Sequence, residues 1–149
     1  MIYQFIYREF SKDMSVKNQE KRREKVICPC QSGKAYYECC EVYHQGEVPI
    51  TAEALMRSRF TAFTYQLEAY LSESWHSSTR PEQVLTPDAA ELQWFFLKII
   101  KTEPENSHGE HFVTFEARYR ENGRANKFTE RSRFIVEAGK LRYIDGEFL

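Results

Sequence analysis

Cys28-Pro29-Cys30-Gln31-Ser32-Gly33-Lys34-Ala35-Tyr36-Tyr37-Glu38-Cys39-Cys40 contains every cysteine of a 149-residue chain. The spacing is a Cys-x-Cys pair, eight residues, then a Cys-Cys pair. Cysteines used as small core hydrophobes would be scattered. Bunched in this way, Cys28, Cys30, Cys39 and Cys40 read as the four thiolate ligands of one tetrahedral zinc ion. Pro29 stiffens the first arm, because its ring fixes φ. Gln31, Ser32 and Gly33 make a turn whose free N–H groups can donate to sulfur, and the Tyr36–Cys40 end reads as one helical turn carrying the second ligand pair. Four thiolates on a dication leave a local charge of about −2, which Lys25 and Lys34 stand close enough in sequence to offset. Two disulfides, or four free thiols, are the competing uses of such cysteines. If zinc is the occupant, four thiolates close its shell, so it is structural rather than catalytic.

Upstream of the cysteines runs a charged stretch, Ser15 to Lys25, in which Lys17, Lys21, Arg22, Arg23 and Lys25 face Glu20 and Glu24. It reads as a solvated tail or fraying helix, with a phosphate- or RNA-touching arm as the alternative. Before it, Ile2, Phe5, Ile6 and Phe10 sit near helical spacing and suggest a short docking helix, while Met14 is the expected natural start. The basic and acidic residues number 21 and 22, for a net charge of −1. That balance makes no global case for nucleic acid or an anionic membrane as partner. The longest apolar runs, such as Trp94–Leu97, are too short to span a bilayer, and no export leader is visible. A cytoplasmic location is expected.

Downstream, Glu41 to Ile50 reads as a loop in which His44 is an ordinary loop histidine. Thr51 then reads as an N-cap. Apolar residues recur at Ala52, Leu55, Met56, Phe60, Phe63, Leu67, Tyr70, Leu71 and Trp75, the three-and-four spacing of one amphipathic helix. A polar turn from Trp75 to Pro81 stops it, and Thr86 or Asp88 caps a second short helix ending near Leu92. From Trp94 the pattern changes to four aromatic, β-branched strands, Trp94–Lys101, Glu110–Arg120, Lys127–Val136 and Lys140–Asp145. Asn122-Gly123 and Ala138-Gly139 favour antiparallel hairpins between them. Alternation groups Phe115, Ala117 and Tyr119 on one face, then Glu130, Ser132 and Phe134, then Leu141, Tyr143 and Asp145. Helices followed by an antiparallel meander make an α+β fold, with the helices on one face of a curved sheet and a pocket between them.

The cysteine run resembles the SEC-C motif, Cys-x-Cys-x₈-Cys-(Cys or His), down to Ser32-Gly33-Lys34 and Tyr36; it departs at Gln31 and Glu41, where glycine is more usual. Residues 51–147 resemble the middle domain of the YchJ-like bacterial family. The motifs that carry this are Leu55-Met56-Arg57-Ser58-Arg59-Phe60, Trp75-His76 with Ser78-Thr79-Arg80-Pro81, Ala117-Arg118-Tyr119, Glu130-Arg131-Ser132-Arg133-Phe134 and Tyr143-Ile144-Asp145-Gly146. Thr129 stands where a histidine often precedes Glu130. The resemblance implies an NTF2-like (cystatin-like) cone behind a zinc-binding element. The expected division is a leader at 1–25, the cysteine element at 26–47 and the NTF2-like domain at 51–149. The family has no established activity, so the resemblance implies a fold and not a reaction.

Two functions are compatible with these residues. In the SecA translocation ATPase the similar motif is an adaptor surface, which implies a non-catalytic interaction module here, touching a protein or ribosome-associated partner. The alternative is a small-molecule pocket of the isomerase or dehydratase kind, lined by candidates Arg57, Arg59, Trp75, His76, Arg80, Trp94, Tyr119, Glu130, Ser132, Tyr143 and Asp145. Within it, Glu130 is the natural base, unless it merely pairs with Arg59 or Arg80. A homodimer through the sheet is expected from the fold alone.

Overall fold

The computed structural model of the chain describes residues 16–149. The expected docking helix within Met1–Phe10 and the Met14 start lie outside these residues. Residues 16–23 are helical and exposed. Arg23 turns back from them to meet Glu41 at 2.6 Å.

Around the cysteines the chain folds back on itself. Ile27 and Ala35 form an antiparallel bridge, closed by Cys28 N–H to the Lys34 carbonyl at 2.9 Å and Tyr36 N–H to the Val26 carbonyl at 2.8 Å. A single 3₁₀ turn, Tyr36–Glu38, leads directly into helix α1, Cys40–His44. His44 therefore ends a helix rather than lying in a loop.

Thr51 caps helix α2, Ala52–Thr64, its side chain accepting from Ala54 N–H at 3.1 Å. The single helix expected through Trp75 is in fact two. Gln66 turns to φ +56°; its N–H reaches the Phe63 carbonyl at 3.3 Å, and Leu67 N–H reaches the Ala62 carbonyl at 2.9 Å. These paired bonds around a left-handed residue are the Schellman stop. Helix α3 restarts at Glu68–Glu73. Its Glu68 carboxylate accepts from Val84 and Leu85 N–H at 2.9 and 2.6 Å, pinning the next loop. Thr86 is the cap of α4, Pro87–Glu91.

The four strands are β1 Gln93–Glu103, β2 His111–Glu121, β3 Arg124–Glu137 and β4 Lys140–Phe148; β1, β3 and β4 run longer than their sequence patterns suggest, and β2 is shifted by one residue. They form one antiparallel meander in the order β1-β2-β3-β4. Both two-residue turns, Asn122-Gly123 and Ala138-Gly139, have positive φ throughout, the type I′ geometry that matches strand twist. Segment 74–76 adds a short parallel bridge beside β4. Tyr143 N–H donates to the Ser74 carbonyl (2.9 Å), and His76 N–H donates to the Tyr143 carbonyl (2.7 Å).

Helix α2 lies across the sheet and joins everything. Its Leu55, Met56 and Phe60 pack with Leu97, Val113, Phe115, Phe134 and Leu141 in one core, and the same core contains Cys28, Cys30 and Cys40. The cysteine element and the sheet domain thus share a single interior. A smaller cluster, Ala62, Leu71 and Val84, lies under the far end of α2.

Candidate metal centre and the cone

The four cysteines converge from both sides of the turn. Their sulfurs all lie within 4.8 Å of one another, with Cys30 to Cys39 at 3.6 Å and Cys39 to Cys40 at 4.0 Å. Sulfurs about 2.3 Å from a central ion stand about 3.8 Å apart in a regular tetrahedron, so the spacing fits one tetrahedral metal ion. All four are free thiols, which sets the disulfide alternative aside for this structure. Cys28, Cys30 and Cys40 are buried, and Cys39 is partly open.

Protons are unevenly shared in this crowd. Hydrogen bonding from Cys28 holds the Cys30 thiol far below its ordinary range. The same Cys28 contact, then Cys30, pushes Cys40 far up. Cys39 is pushed up to about 11, chiefly by burial. Such a set gives up its remaining protons to a cation, since metal ligation needs thiolates.

Neighbours hold the sulfurs in place. Ser32 Oγ lies 3.2 Å from Cys39 Sγ. Thr61, fully buried on α2, donates to Cys40 Sγ at 3.4 Å and lies 3.7 Å from Cys28 Sγ. Arg57, expected in the pocket, instead donates from Nη1 to the Cys30 carbonyl at 2.7 Å while pairing with Glu53 at 3.0 Å. His44 is no ligand: its Nε2 donates to the Ser58 carbonyl at 2.8 Å, leaving Nδ1 to accept from Tyr36 OH at 2.8 Å. Burial lowers its pKa, favouring the neutral ring that this pattern requires.

The second site is a cavity of about 160 Å³ between α2 and the inner face of the sheet. Of the candidates, Arg59, Trp75, Trp94, Glu130, Ser132 and Tyr143 line it. Tyr119 packs behind, its ring 5.2 Å from Trp94. Three more lie elsewhere. His76 faces Ser78 and Glu137 on the outside, with Nδ1 2.7 Å from Ser78 Oγ. Arg80 donates to the Trp75 carbonyl at 2.8 Å and borders a separate open groove. Asp145 pairs with Arg133 at 2.6 Å because a bulge shifts the register between Arg133 and Phe134, so Ile144 has no partner and Asp145 turns to the outer face. Phe63, Phe115 and Phe128 complete the aromatic wall, and sequence reasoning missed them as site residues; the strand alternation that groups Phe115 with Ala117 was the available signal.

Glu130 and Arg59 do not pair with each other. Ser132 Oγ and Tyr143 OH both donate to Glu130 Oε1, at 2.7 and 3.4 Å, and burial raises the carboxyl pKa. Arg59, 3 % exposed, donates from Nη1 to the Leu71 carbonyl (2.9 Å) and Ser74 Oγ (2.6 Å). Its guanidinium stands 5.0 Å from the Trp75 ring and 4.7 Å from Tyr143.

A helix-backed antiparallel meander joined to a four-cysteine cluster is the architecture of a SEC-C-type element on an NTF2-like domain. The family description "YchJ, middle NTF2-like domain" matches residues 51–146, and the chain belongs to this YchJ-like family. It is 40% identical over 125 residues to a UPF0225 protein of Bordetella parapertussis, covering 82% of this chain and 92% of that one. A UPF0225 protein of Cupriavidus pinatubonensis is 42% identical over 130 residues, covering 82% and 88%. Among solved structures, the solution structure of a SEC-C motif containing protein from Rhodopseudomonas palustris superposes with a TM-score of 0.70 at 26% identity, over 83% of this chain and 99% of that one. A SEC-C motif containing protein from Psychrobacter arcticus shares the fold with a TM-score of 0.69 at 24% identity, over 83% and 82%. Among the described residues no helix is long and apolar enough to cross a membrane.

Proposed function

We propose that the chain is a non-catalytic, zinc-stabilised interaction module of the cytoplasm. The observation that carries this is the cluster of four sulfurs within 4.8 Å. Borderline-soft Zn²⁺ suits an all-thiolate tetrahedron, and such a site has no open position for substrate. The ion's work is mechanical. It fastens a turn too short to hold itself onto α2 and leaves a rigid surface, bordered by the basic 16–25 segment, for a protein or ribosomal partner. Purified ribosomes in a co-sedimentation assay test the role, using the reduced native chain beside Cys39→Ser. The reading expects zinc and ribosome binding to be lost together. Native protein that carries zinc and stays in the supernatant at low salt overturns the ribosomal form of the role.

A second reading has its own support. The cone combines an aromatic wall with Arg59 and Glu130, which is the composition of a small-molecule site. A metabolite-class thermal-shift screen on the native chain tests it.

A further inference from the structure

We propose that the cone binds a small, planar, ring-bearing monocarboxylate, its carboxylate on the Arg59 guanidinium and its ring between Trp75, Trp94 and Phe128. The inference rests on the reading of the cone as a ligand site and goes further by assigning the ligand's chemistry. A cavity of about 160 Å³ matches the engineered apolar cavities of about 150 Å³ that take up one benzene. Its walls are mostly ring faces and edges. Trp94 alone meets Phe60, Phe63, Tyr119 and Phe128 with centroids 5.2–6.1 Å away. A flat apolar body fits such a box, and a hydrated tetrahedral anion such as phosphate does not.

The polar end selects charge. Arg59 Nε and Nη2 have no hydrogen-bond partner among the described residues. No side-chain nitrogen or oxygen among the described residues is sealed away without a partner, so these two donors keep accessible surface, and Arg59 lines this cavity. Glu130 also lines the cavity, and both its donors reach Oε1, which leaves Oε2 without a hydrogen-bond partner among the described residues. Burial lowers the Arg59 pKa only to about 10, so the cation persists at neutral pH, while burial favours the protonated Glu130 carboxyl. A buried cation with no carboxylate in contact is costly, and a planar guanidinium edge accepts a carboxylate in two parallel bonds. The free edge of the site therefore offers donors to an anion.

Fluorine NMR on the full metal-loaded chain, titrated with 4-fluorobenzoate and with the neutral isostere 4-fluorobenzamide, tests the assignment. The expected result is saturable benzoate binding at least tenfold tighter than benzamide. Ala117→Leu, which fills the cavity from β2, abolishes it; Arg59→Gln weakens it at least tenfold. Should Arg59→Gln fail to fold, the comparison of the two probes and Ala117→Leu carry the test. Equal binding of both probes, each lost in Ala117→Leu, overturns the carboxylate assignment and leaves the ligand site standing. No saturable binding of either probe up to millimolar concentration overturns both. Benzoate binding that survives Ala117→Leu is surface binding and overturns the assignment.

Discussion

The Thr61 hydroxyl donates to Cys40 Sγ across 3.4 Å and sits 3.7 Å from Cys28 Sγ, so one buried residue of the central helix touches both arms of the cysteine turn. Groups that hydrogen-bond metal ligands typically govern affinity by about 10–100-fold. Thr61→Val keeps the shape and removes the hydroxyl. It is expected to weaken zinc binding by about that factor in a chelator competition, while the circular dichroism of the loaded protein stays unchanged. An unaltered affinity would show that Thr61 only fills space.

Gln31 holds φ +65° in the cysteine turn, the left-handed region where a side chain costs roughly 1–2 kcal/mol. Glycine, usual at this position of the motif, avoids that strain but loses more freedom on folding. Gln31→Gly is expected to stabilise the chain by about 0.5 kcal/mol, seen as a rise in Tm of about 1–2 °C. A fall in Tm would mean that the turn depends on the glutamine side chain.

Gly146 makes room for Glu130. A β-carbon on Gly146 would stand 2.7 Å from the Glu130 carboxyl carbon, and Ser132, which bonds that carboxyl, pairs with Gly146 across β3 and β4. Gly146→Ala is expected to destabilise the fold by about 1–3 kcal/mol, as overpacking does. Adding Glu130→Ala should recover part of that loss, a non-additivity readable in urea unfolding. Strictly additive effects would place the carboxyl elsewhere.

The pH dependence of stability carries the signature of Glu130. Burial raises its pKa from 4.5 in the folded chain. Between the unfolded and folded values the native state holds a proton that the unfolded chain has released. The resulting stabilisation is complete below the unfolded value and is lost as pH rises through the folded one. Stability of the native protein minus that of Glu130→Gln should therefore decline from pH 4 toward neutrality. The carboxyls held low by surface partners, Glu103 by Arg131 and Glu116 by Arg118, are common to both proteins and cancel. A difference that rises with pH would contradict a buried, raised carboxyl.

How much of this was legible in the residues varies from element to element. The cysteine cluster was, because four thiols close in sequence need little tertiary information to meet. The meander was too: Asn122-Gly123 and Ala138-Gly139 supply the positive φ that their turns require. The break in the long helix was not. Gln66 takes the left-handed stop where glycine is the usual signal, and the apolar period runs on through Leu67 and Leu71 into the second cluster. Asp145 misled for a related reason. A bulge changes which face a residue takes, and nothing in Tyr143-Ile144-Asp145 marks one. Arg57 and Arg59, two apart on α2, look alike in sequence, yet the helix sends one to the Cys30 carbonyl and the other into the cone. Position 129 gains a simpler meaning: it pairs with Glu116 and alternates away from Glu130, so the absent histidine would not have reached the cavity.

Metal content of the freshly purified, reduced chain, read by native mass spectrometry with elemental analysis, decides whether the four sulfurs hold an ion. One zinc per chain is expected, with a clear drop in Tm when a strong chelator removes it. Protein that carries no metal, and whose Tm is indifferent to chelator, would contradict this expectation.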